Sequence, residues 1–131
     1  MKILLDTHIA LWAVSDDTRL SKRARSLILN PSADLFVSVA SLWEIAIKHA
    51  LGRTGSSAMP VSASDAREAF IEAGFILLDV TSEHVLAVET LPPIHGDLFD
   101  RLLVAQCLSE PMRLLTHDAA LVRYSELVET A

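Results

Sequence analysis

Short apolar runs alternate along this chain with longer stretches of helical periodicity. Residues 2–5, 35–39, 75–80 and 114–116 are brief, aliphatic and bounded by polar or turn-forming residues, which predicts buried strands. Between them, residues 8–14, 20–29, 42–51, 65–73, 82–90 and 98–109 repeat apolar side chains at helical spacing. Asn30-Pro31, Gly52, Gly74 and Pro92-Pro93 supply the stops. The tail after Asp118 reads as helix. Strands alternating with helices predict an α/β fold, a short parallel sheet of four to five strands covered by helices on both faces. Ligands of such sheets bind beyond the carboxyl ends of the strands. The polar stretch at residues 52–64 is expected to be a mobile flap rather than a domain boundary, so residues 1–131 are read as one domain.

Composition narrows the class. Hydrophobic residues make up 51% of the 131 positions, enough for a substantial core and for a face that a partner covers. No window reaches the ~18 uninterrupted apolar residues of a membrane span. Residues 35–47, the longest candidate, are broken by Ser38, Ser41 and Glu44. The start, Met1-Lys2-Ile3-Leu4-Leu5-Asp6, meets an acid before a signal-peptide core develops. A single cysteine, Cys107, excludes an internal disulfide framework or a cysteine-rich zinc site, and the cytoplasm is the expected compartment. A net charge of −6 argues against holding nucleic acid by a broad basic surface. It does not exclude a nuclease, because divalent cations cancel clustered acids locally.

Four acids stand out against this apolar background: Asp6, Glu44, Asp100 and Asp118. A carboxylate among apolar residues is costly unless a cation or hydrogen-bond donors compensate it. Asp6 follows Ile3-Leu4-Leu5 and suits both an N-cap and a metal ligand at a strand tip. A dehalogenase-like phosphotransferase needs a second Asp two residues on, where His8 stands. Ser41-Leu42-Trp43-Glu44 has the form of a capping box, which would fold Glu44 back onto the helix start. On a helix, Ser41, Glu44 and Lys48 also share one narrow stripe that apolar residues surround. A helix apolar on nearly all sides is buried, so this stripe faces a cavity, a ligand or a strip of solvent. Trp12 and Trp43 read as core fillers.

Asp100 shares its stripe with Leu103, Val104 and Cys107, and Asp97 already serves as the N-cap of that helix. Asp100 therefore reads more as a ligand than as a cap. Arg101 suits either a pair with Asp100 or a contact to substrate phosphate. Asp118, after Leu114-Leu115-Thr116-His117, suits a helix N-cap and a site acid equally. His117-Asp118 invites comparison with metal phosphohydrolases of the HD type, but His8, His49, His84 and His95 lack the matching spacing and read as loop or packing residues.

Four stretches together resemble the PIN-domain ribonucleases, most closely the VapC-type toxins of toxin–antitoxin pairs. They are Leu4-Leu5-Asp6-Thr7-His8, Ser38-Val39-Ala40-Ser41-Leu42-Trp43-Glu44-Ile45-Ala46-Ile47-Lys48, His95-Gly96-Asp97-Leu98-Phe99-Asp100-Arg101-Leu102-Leu103-Val104-Ala105-Gln106 and Leu114-Leu115-Thr116-His117-Asp118. Singly each is weak; their order over nearly the whole chain is specific. The resemblance implies a magnesium- or manganese-dependent endoribonuclease with its acidic site at the sheet's carboxyl edge. It makes Asp6, Glu44, Asp100 and Asp118 the site acids, with Asp6 and Asp100 as the foremost direct metal ligands and Glu44 and Asp118 as further candidates. Thr7, Ser41 and Asp97 become supporting groups, and Lys48, Arg53 and Arg101 candidate contacts to RNA. It also implies a cognate antitoxin and, with the surplus apolar surface, a homodimer. Leu98 stands where a proline is frequent, and the short segment after Asp118 leaves a final strand open. Two other classes fit the same acids: a protein-binding module whose acidic groove takes an arginine-bearing helix, and a metal-dependent phosphohydrolase of small molecules.

Overall fold

Strand β1 (Lys2–Leu5) is the central strand, paired in the sheet on both edges, and Ile3, Leu4 and Leu5 are buried in the side-chain layers on its two faces. The computed structural model describes residues 1–52 and 59–131, so Arg53 and residues 54–58 of the expected flap lie outside the described residues, while the rest of that stretch buries Met59 and enters a helix at Ala63. The remaining strands are β2 (Asp34–Ser38), β3 (Ile76–Leu78), β4 (Arg113–Thr116) and β5 (Val128–Thr130). They pair in the order β3-β2-β1-β4-β5, and every pairing is parallel. Leu4 stands opposite Phe36 on one side and Leu114 on the other.

Successive strand side chains point to opposite faces, so β1 feeds two cores. Ile3 and Leu5 join Ile9, Val37, Ile45, Phe70 and Leu115 in one layer. Leu4 joins Leu103, Val104, Cys107, Leu114 and Val128 in the other. The first layer is covered by α1 (Thr7–Ser15), α2 (Lys22–Leu29), α3 (Val39–Ala50) and α4 (Ala63–Glu72), the second by α6 (Leu98–Ser109), against which α5 (Ser82–Glu89) packs. This is the helix-covered parallel sheet that the strand–helix alternation predicts. Among the described residues no helix is long and apolar enough to cross a membrane.

Three local expectations change. Helix α3 begins at Val39, three residues earlier than the periodicity suggests, because Ser38 ends β2 in extended backbone and caps the helix through Oγ to the Ala40 amide (3.0 Å). Ser41 and Glu44 therefore lie inside the helix, and the expected capping box does not form. The buried positions 40, 41, 44 and 45 then turn Trp43 outward, where it is 59% exposed and meets Phe99 edge-on at 5.1 Å. The expected tail helix is only a 3-10 helix (Ala119–Tyr124), after which the chain returns to the sheet as β5. That strand is set by pairing rather than by pattern: Leu114 N donates to Leu127 O (2.9 Å), Ala131 N to Thr116 O (3.0 Å), and Val128 is buried against the α6 layer.

Candidate active site

All strands run the same way, so the residues just past β1 and β4 share one edge of the sheet. Asp6 follows β1 and caps α1, its Oδ1 accepting from the Ile9 amide (2.8 Å). Its Oδ2 accepts from the Thr116 hydroxyl (2.6 Å) and the His117 amide (3.1 Å), and lies 3.1 Å from His117 Nδ1. Burial alone would raise the Asp6 carboxyl, but the bonds from His117, Thr116 and Ile9 outweigh it and hold Asp6 below the ordinary carboxylate range. The bond to Asp6 raises His117 in turn. Thr116 does double service, since its Oγ1 also accepts the Asp118 amide (3.1 Å) and so ties the two acids together.

Glu44, 4% exposed, reaches the same edge from α3. Its Oε1 lies 2.6 Å from Thr7 Oγ1, and its Oε2 accepts from Lys48 Nζ (2.7 Å) one turn on. Thr7 Oγ1 is also 2.9 Å from Ser41 Oγ. The one Thr7 proton goes to the carboxylate, the stronger acceptor, which leaves the Ser41 hydroxyl to donate to Thr7. Both readings of the Ser41–Glu44–Lys48 stripe thus hold at once: an i,i+4 ion pair, and a polar face turned to a cavity.

Asp97 caps α6 through Oδ1 to the Asp100 amide (2.9 Å), which leaves the Asp100 side chain free of that task. Burial, then the negative charges of Asp97, Asp6 and Glu44, push the Asp100 carboxyl up to about 6, partly opposed by its bond to His95. Asp118 caps the 3-10 helix with Oδ1 to the Ala120 amide (3.0 Å), while its Oδ2 lies 3.2 Å from His95 Nε2. The four acids, with Thr7, Lys48, His95, Asp97 and His117, line one cavity of about 250 Å³.

Two contributors were invisible in the sequence. His95 faces the acids rather than packing or lining a loop, and His117 joins Asp6 instead of serving an HD-type pair; adjacency to Asp97 and Asp118 was the available signal, and the metal-phosphohydrolase spacing was the wrong template for it. Arg101 does not form the expected pair with Asp100. Its guanidinium donates to Pro92 O (3.2 Å), Val88 O (3.3 Å) and the Tyr124 hydroxyl (3.2 Å), because the 88–95 segment folds over the helix and presents carbonyls.

The donor set suits a hard divalent cation. Donor atoms of His95, Asp100 and Asp118 all lie within 4.8 Å of one another. Burial and crowded negative charge both disfavour the charged form of Asp100, and an ion ligated by carboxylates would offset both.

The chain matches the PIN domain family over residues 3–127 and belongs to that family. PIN nucleases use divalent metal ions, in keeping with this donor set. A comparison with curated proteins finds no match. Among solved structures, the chain is similar to VapBC2 from Rickettsia felis bound to a DNA fragment from its promoter, with 14% identity and a TM-score of 0.70 over 99% of this chain and 98% of that one. A toxin–antitoxin complex from Klebsiella pneumoniae aligns at 15% identity and TM-score 0.65, covering 98% and 96%. DNA-bound VapBC from Salmonella typhimurium aligns at 16% and 0.67, covering 99% and 98%. These likenesses are of fold.

Proposed function

We propose that this chain is a magnesium- or manganese-dependent endoribonuclease, the toxin of a toxin–antitoxin pair. The observation that carries the reading is the gathering of Asp6, Glu44, Asp100 and Asp118 from four separate elements around one cavity at the sheet's carboxyl edge. PIN-family membership and the likeness to toxin–antitoxin structures support it.

When bound, the ion supplies an activated water and neutralises charge developing on the phosphodiester oxygens. Asp100 and Asp118 are the carboxylates open to it, since among the described residues the only side chain that pairs with either carboxylate is His95. Asp6 keeps its negative charge at neutral pH, fixed in place by Thr116 and His117, and so attracts the ion and orients the waters around it. Glu44, steadied by Thr7 and Lys48, does the same from the opposite wall. With the site's carboxylates given to holding and surrounding the ion, water activation falls to the ion.

The reading brings its partners with it. A cognate antitoxin covers the site, the compartment is cytoplasmic, and the outward apolar residues Trp43, Ile47 and Leu98 suit contact between two copies. The test is cleavage of total cellular RNA by purified, partner-free protein. Discrete fragments with magnesium or manganese, lost in EDTA and in Asp100→Asn, support the proposal. A folded sample that leaves RNA intact with either ion refutes it and turns attention to an acidic binding module or a small-molecule phosphohydrolase.

A further inference from the structure

His95 has no part in the reading above, yet it stands between two of the acids. Its Nε2 lies 3.2 Å from Asp100 Oδ2 and 3.2 Å from Asp118 Oδ2. The segment that bears it is fastened on both sides. The Tyr124 hydroxyl accepts the His95 amide (2.9 Å), and Arg101 donates to Pro92 O and Val88 O. Arg101 and Tyr124 also meet each other at 3.2 Å. Arg101 belongs to the helix that carries Asp100, and Tyr124 to the 3-10 helix that Asp118 caps. The imidazole and both carboxylates are thus mounted on one frame, the arrangement that holds a ligand set in register.

We infer that His95 is a direct ligand of the divalent ion, and that with Asp100 and Asp118 it forms a mixed nitrogen–oxygen triad favouring manganese over magnesium. The inference rests on the metal-dependent reading of this site. Donors adjacent on an octahedron with bonds of about 2.1 Å stand about 3 Å apart. The two 3.2 Å spacings at His95 match that edge. Carboxylates and water suit magnesium and manganese alike, but an imidazole nitrogen binds first-row transition ions better than it binds magnesium. Asp6 and Glu44 are already engaged through both oxygens and act as fixed charges around the triad.

The contrary role for His95 is that of a cation which fills the space between two acids and is displaced when metal arrives. The two roles give opposite responses to its removal: losing a ligand weakens manganese binding, whereas losing a competitor strengthens it. Isothermal titration of the whole chain with magnesium and with manganese separates them, using wild type, His95→Asn and His95→Asp, each checked for folding by circular dichroism. Wild type should bind manganese about tenfold more tightly than magnesium. His95→Asn should lose about tenfold or more in manganese affinity and less in magnesium affinity. His95→Asp should recover magnesium binding without the manganese preference. Pulsed electron paramagnetic resonance of the manganese-loaded protein should show a nitrogen coupling in wild type that is absent from both variants.

Unchanged or tighter manganese binding by folded His95→Asn overturns the inference, as does a nitrogen coupling that survives the substitution. Wild type that binds and cleaves with both ions equally well overturns the inference alone and leaves the nuclease reading standing. Wild type that binds neither ion overturns both.

Discussion

Asp100→Asn should stabilise the metal-free protein while removing most of its response to metal. The Asp100 carboxyl is raised from 3.8 to about 6 by burial and by its acidic neighbours. At ~1.4 kcal/mol per unit, that shift caps the cost of its charge near ~3 kcal/mol. A quarter of the side chain is exposed, so solvent screening reduces the figure to about 1–2 kcal/mol. Losing a first-turn charge from α6 takes back about 0.5 kcal/mol of helix-dipole stabilisation. A net gain of about 1 kcal/mol remains, or a melting point about 4 °C higher for a chain of 131 residues. Because the folded value lies above the unfolded one, the penalty is absent below pH 3.8, grows as pH rises towards 6 and is complete above it. Thermal melts in EDTA at pH 7.5 should therefore show Asn above Asp, with the gap closing as pH falls towards 4. Manganese at about 100 times its Kd should add about 2.7 kcal/mol to wild type and much less to the variant, reversing the order. A metal-free variant that melts below wild type at pH 7.5 would show that Asp100 charge is not a burden, and the electrostatic account of the site would fall with it.

Other outcomes follow from the same geometry. Leu4→Ala should cost about 2–5 kcal/mol by urea denaturation, since Leu4 is wholly buried between two neighbouring strands; a loss under about 1 kcal/mol contradicts that packing. Thr116→Val leaves Asp6 Oδ2 and the Asp118 amide each without one partner, so stability should drop by about 1–3 kcal/mol, and an unchanged urea midpoint argues against the link. His117 is raised by its bond to Asp6, so its stabilising share is complete below pH 6.5 and lost as pH climbs through the folded value. Asp6 is lowered, so its own share is present above 3.8 and lost as pH falls. His117→Asn should flatten the alkaline fall in metal-free stability, and an identical pH profile in the variant speaks against the pair.

Strand β1 was legible because three consecutive aliphatic residues, Ile3 to Leu5, bury themselves with no competing pattern, and α6 was equally plain because Asp97 marks its start. Helix α3 was misplaced for the opposite reason: two serines three residues apart both look like caps, and only the end of β2 decides that Ser38 serves. Strand β5 has three residues and takes its conformation from the partner strand, a signal no local periodicity carries. The acids could be picked out singly, since buried carboxylates contradict their surroundings. The histidines could not, because His95 enters the site through bonds from Arg101 and Tyr124, residues 6 and 29 positions away. Arg101 misled in the same way: a basic residue beside an acid suggests an ion pair, whereas here backbone carbonyls claim it.

The bond from Thr116 to Asp6 spans 110 residues of sequence, and it has a consequence for the timing of synthesis. Strand β1 is made well before its neighbour β4, with α1 to α6 between them. Pairings so distant in sequence form late, after the intervening chain is available to be closed into a loop. A nascent chain that has completed α1 to α5 still holds Asp6 without Thr116 and His117, and lacks Asp100 or Asp118 altogether. Whatever chemistry the four acids perform is therefore withheld until the segment bearing Asp118 has been made, and a product cut short before it lacks the full set of acids.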